Sequence, residues 1–69
     1  MKIVRKLAGD CASSSCPTVY ATDRGTVVVQ GYVLDEAGVK QLVLPSGESA
    51  VEVPAALILE AARQVKAER

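Results

Sequence analysis

The chain contains no histidine, no phenylalanine and no tryptophan, and its 69 residues carry no surplus charge of either sign. Without histidine, the side chain that most readily takes and gives a proton near neutral pH is missing. Three of the serines crowd into one stretch, Ser13-Ser14-Ser15, with no base beside them. Asp23, Asp35 and Glu36 stand in turn-like contexts, where acids serve backbone hydrogen bonding. A phosphate-binding glycine loop, a dinucleotide fingerprint and a metalloprotease helix motif are all lacking. The expectation is therefore that the protein is not an enzyme and holds no cofactor. Eight basic residues face eight acidic ones. Phosphate contacts supply most non-specific nucleic-acid affinity, so a neutral chain without a basic stripe is not expected to bind nucleic acid. Lys2, Arg5 and Lys6 cluster near the start and read as a solvated face.

Long hydrophobic runs are also missing. None approaches the ~18 residues that span a bilayer. Residues 1–8 interleave Ile3, Val4 and Leu7 with basic side chains instead of forming the apolar core of a secretory leader. A soluble, cytoplasmic protein without membrane contact is expected, and there cysteines stay reduced by default. The chain has two, Cys11 and Cys16. A tetrahedral zinc site takes four ligands, so Cys11 and Cys16 would hold a metal only by pooling four thiolates across a dimer. A disulfide across the short loop is the other alternative. Reduced thiols, dispensable for folding, are the reading a cytosolic setting favours.

With Tyr20 and Tyr32 as the only aromatics, the core must be built from the valine, leucine, isoleucine and alanine that make up most of the 49% hydrophobic share. Such side chains bury little area each. Sixty-nine residues make one domain, 1–69, and ordering it costs roughly 1.5 kcal/mol per residue, which nearly cancels the gain from burial. Burial between two copies is the expected remedy.

What is present centres on residues 18–34, TVYATDRGTVVVQGYVL. Two β-branched runs flank Asp23-Arg24-Gly25, and a three-residue loop with glycine last suits a β-hairpin whose third loop residue is left-handed. Residues 2–7 suggest a strand before it. Residues 9–17, rich in serine, form a flexible loop. After the hairpin, 35–38 is a turn, 39–44 a strand, 45–47 a second turn and 48–53 a half-buried strand. Pro54 opens a helix over 54–68, proline being favoured at the first helical position. Leu57, Ile58, Ala61, Ala62 and Val65 fall on one stripe, while Glu60, Arg63 and Gln64 face water. The predicted fold class is α+β: a small antiparallel β-meander of four to five strands with one C-terminal helix packed on one face.

The second hairpin strand is apolar on both faces, more than a one-sided sheet requires. It is either central, with the helix on the face of Val27, Val29 and Val33 and a second copy on the other, or broken at Gly31 by a bulge or bend. The first alternative makes a homodimer with Val28, Tyr32 and Leu59 as interface residues.

Cys16-Pro17-Thr18-Val19-Tyr20, Gly25-Thr26-Val27-Val28-Val29 and the strand-to-helix passage 51–63 resemble a BldB-like family of small actinobacterial proteins. That resemblance implies a non-enzymatic accessory protein that self-associates and works through a helix-turn-helix transcriptional regulator. A glycine-turned valine strand followed by Val-x-Val-Pro-x-x-Leu also resembles the AbrB-type swapped-hairpin regulators. This likeness implies the alternative, a small dimeric DNA-binding protein, with Arg24 near the equivalent turn.

Overall fold

The structure is a computed structural model that describes residues 1–9 and 16–67. Its elements are β1 (Ile3–Ala8), β2 (Thr18–Thr22), β3 (Val27–Gln30), β4 (Tyr32–Val33), α1 (Glu36–Val39), β5 (Val51–Glu52) and α2 (Ala55–Ala67). β1, β2 and β3 form an antiparallel meander in that order, and β4 pairs with β5 in a separate two-stranded ribbon. The α+β class, the meander and the C-terminal helix are as the sequence predicts. Residues 10–15 of the predicted serine-rich loop lie outside the described residues.

The hairpin forms where its glycine requires. Thr18 pairs with Gln30, Val19 with Val29, Tyr20 with Val28 and Ala21 with Val27. Gly25 sits at φ 74°, in the left-handed region that its missing Cβ makes accessible. The Thr22 amide donates to the Thr26 carbonyl at 3.1 Å across the turn, and the two hydroxyls lie 2.6 Å apart. The Arg24 amide donates to the Thr22 hydroxyl at 3.1 Å. Asp23 then ties the start of β1 to this turn: its amide donates to the Lys2 carbonyl, and its carboxylate accepts from the Lys2 amide, both at 2.9 Å.

β1 runs antiparallel to β2 with two register shifts, one between Ile3 and Arg5 and one between Lys6 and Ala8. A regular strand sends neighbouring residues to opposite faces. The second shift lets Leu7 and Ala8 both be buried. α2 packs on β1 and β2. Leu7, Ala8, Val19 and Ala61 are the buried hydrophobic core among the described residues, with Ala21, Val29 and Leu57 half-buried against it. Val19, 1% exposed, is its centre.

Three expectations are corrected. The helix is rotated from the predicted phase: its inward line is Leu57, Ala61 and Gln64, one turn apart, while Ile58, Ala62 and Val65 stay exposed. Gln64, predicted to face water, is half-buried, and its carbonyl accepts from the Arg5 guanidinium at 3.5 Å. A cation at the carbonyl-rich end of a helix is favourable, and it holds the helix over β1. Second, 39–44 is not a strand. Asp35 caps a single helical turn, its carboxylate accepting from the Gly38 amide at 2.7 Å, and the Gln41 and Leu42 amides donate to the Gly38 and Val39 carbonyls. This local bonding outweighs the β pattern of Leu42-Val43-Leu44, which finds no strand to pair with. Third, the strand predicted over 48–53 shrinks to Val51–Glu52.

Gly31 marks the break between the two sheets. A Cβ there would lie 2.5 Å from a Val53 methyl and 2.7 Å from the Glu52 carbonyl oxygen. The glycine thus lets β5 approach the chain as it leaves β3, so β3 ends at Gln30 and β4 starts a new sheet. Gly31→Ala must push a backbone carbonyl aside and should cost about 1–3 kcal/mol. Gly25→Ala meets open space and should cost only its left-handed conformation, about 1–2 kcal/mol. Urea unfolding at one fixed protein concentration checks both; a Gly31→Ala protein as stable as the parent would mean that the ribbon does not close on Gly31.

Candidate functional site

Because α2 lies over β1 and β2, the helix side of β3 is left open. Register places Val19, Ala21, Val27 and Val29 on that side. Val19 is covered by the helix, whereas Val27 is 48% exposed. Between β3 and the flank of α2 runs a groove of about 370 Å³. Val19, Val27 and Val29 form its floor, and Ile58, Ala61, Ala62 and Val65 form its wall. Ile58 and Val65 are 46% and 39% exposed along it. Every lining side chain is aliphatic. A small-molecule site normally sets a few polar groups among its apolar ones to fix orientation; this groove offers apolar contact alone.

A second hollow, about 760 Å³, opens where β1 ends and α2 begins, beside Lys6, Gly9, Pro54, Glu60, Arg63 and Gln64. It is larger, but its acid is already engaged: Glu60 accepts from Arg63 at 3.4 Å and from the Gln64 side-chain amide at 3.1 Å. The other carboxylates near the fold's turns, Asp23 and Asp35, are likewise occupied with backbone amides.

The predicted interface residues fall on three different elements. Val28 is half-buried on the sheet face away from α2, opposite Tyr20. Tyr32 is exposed in β4 of the other sheet, and Leu59 is 62% exposed on α2. The premise that Val28 and Tyr32 share one face of one long strand is corrected, because Gly31 ends that strand. The premise that the helix covers Val27, Val29 and Val33 is corrected too: Val33 lies off the meander and is 89% exposed. The sequence marks the groove residues Val27, Ile58, Ala62 and Val65 as apolar, and its pattern predicts them as core. The signal that separates the two is width: three strands at about 4.8 Å spacing with one helix leave a strand uncovered once the helix settles on the other pair.

Cys16 is disulfide-bonded, which corrects the reduced-thiol reading; the chain's other cysteine, Cys11, lies outside the described residues. A disulfide sulfur is not a thiolate, the form in which cysteine binds metal, so Cys16 is not placed to share a zinc ion across a dimer. Among the described residues no helix is long and apolar enough to cross a membrane.

Comparison with protein-family models, curated proteins and solved structures found no significant match to this chain.

Alkylation of the unreduced protein should leave the Cys16 peptide unmodified by mass spectrometry, and prior reduction should expose it. Labelling without reductant would contradict the disulfide.

Proposed function

We propose that the chain is a non-enzymatic protein–protein interaction module that forms a homodimer and, in that form, serves as an accessory partner of a helix-turn-helix transcriptional regulator. The observation that supports this reading most is the aliphatic groove beside β3, in a chain whose buried hydrophobic core among the described residues is Leu7, Ala8, Val19 and Ala61. A domain this short with so few buried side chains gains little from folding alone. The exposed side chains include Val27, Tyr32, Val33, Val43, Ile58 and Leu59, far from the scattered single apolar residues of an ordinary monomer. The regulator as partner rests on the likeness of 16–20, 25–29 and 51–63 to the BldB-like pattern. The cytoplasm is the compartment this reading assigns. The disulfide at Cys16 pulls the other way, because cytosolic thiols are kept reduced.

Direct DNA binding by a dimer is the competing reading. Its basis is Arg24 at the hairpin turn, and the chain's formal charge of zero opposes it.

A gel-shift titration at two salt concentrations separates the readings. The interaction module should leave duplex DNA unshifted at both. A shift lost at the higher salt would favour the DNA reading, since released counterions carry that affinity. A tagged chain should co-purify with a helix-turn-helix regulator, and Ile58→Glu, at a position 46% exposed where the circular dichroism spectrum should be kept, should abolish the pairing; an unchanged yield would overturn the role given to the groove.

A further inference from the structure

The meander has two edges, and they are built differently. Edge strands expose unpaired backbone groups, and proteins blunt them with charge and with bulges. β1 carries both devices: Arg5 and Lys6 lie in it, and its register shifts twice. β3, Val-Val-Val-Gln, carries neither charge nor proline, and its pairing with β2 runs four residues without a shift. One edge is guarded, and among the described residues the other has no further strand beside Val27, Val28 and Val29.

We infer that β3 pairs antiparallel with β3 of a second copy across a two-fold axis at Val28, giving a continuous six-stranded sheet. This rests on the self-association proposed above and names its seat. The sequence of β3 is self-complementary in that register. Residues directly opposite share a face, so Val28 meets Val28 of the partner subunit, and Val27 meets Val29 of the partner subunit in both directions. The helix-side pairs then join the two open grooves into one, each walled by Ile58, Ala62 and Val65. On the far side, Tyr20, already opposite Val28 within one copy, flanks the central valine pair. A register displaced by one residue would set Val28 against groove-side residues and lose these pairs.

The occupant is a second copy because the edge at Val27, Val28 and Val29 matches itself on both faces, apolar throughout and with no charge to repel its twin.

The test places charge on the axis. By sedimentation equilibrium at micromolar concentration the parent should be a dimer. Val28→Lys and Val28→Glu should each dissociate at least tenfold more readily, and an equimolar mixture of the two should recover the dimer mass. If either variant loses its circular dichroism spectrum, Val28→Cys replaces it. Facing Cα atoms of a strand pair lie about 4.5–5.5 Å apart, within disulfide reach, so mild oxidation should cross-link it, whereas Val33→Cys, on the ribbon, should not. Charged variants as dimeric as the parent, or no cross-link through position 28, would overturn the β3 edge while leaving self-association standing. A parent that is monomeric throughout would overturn both.

Discussion

The contact of Ala61 with Leu7, Ala8 and Val19 governs the molecule. Alanine brings the helix axis close to the sheet, and the paired burial of Leu7 and Ala8, made possible by the register shift in β1, draws it towards that side. Arg5 fastens the far end of the helix to the same strand through the Gln64 carbonyl. Once α2 is seated there, β3 cannot be covered by it. The groove is thus the complement of the core: what stabilises one side of the sheet leaves the other side open. A larger residue at position 61 would lift the helix off Val19, and interiors packed at crystal-like density do not absorb such a change freely.

The parts of the fold legible in the sequence were those set by local chemistry. Gly25 at the end of a three-residue loop and Pro54 before a run of helix formers each specify their geometry without help from distant residues. The helix phase was not legible. The stripe of Leu57, Ile58, Ala61, Ala62 and Val65 is apolar over a wide arc, so hydrophobicity alone allows several seatings. The observed one is set by long-range partners, Arg5 and the shifted Leu7-Ala8 pair. Val39 and 42–44 depart from their β pattern for the related reason that such a pattern needs a partner strand. Asp35 needed only Gly38, three residues away, and that bond prevailed. The same dependence on partners explains the site: the strand that carries Val28 is shorter than its pattern, and the core that the pattern assigns to Val27 and Val29 reaches Val29 only at its margin and leaves Val27 exposed.

Polar side chains here are spent on geometry. Thr22 and Thr26 close the hairpin, Asp23 binds the first strand to it, Asp35 starts α1, and Glu60 holds Arg63 and Gln64. Among the described residues, no polar side chain lines the groove beside β3. What the groove beside β3 presents is shape and apolar area.

The core draws on the chain on either side of residues 31–53, Leu7, Ala8 and Val19 before and Ala61 after, while β4 and β5 pinch the intervening segment at its neck beside Gly31. None of residues 31–53 is buried. In polymer terms that segment is a closed loop whose contour length enters the stability only through a slowly growing logarithm. Evolution can therefore lengthen, shorten or rewrite the excursion between Val33 and Val51 at small cost to the fold. A lineage of such proteins would keep the neck and the two ends while its excursion diversified, so that new recognition could arise in a chain of fewer than seventy residues without rebuilding its core.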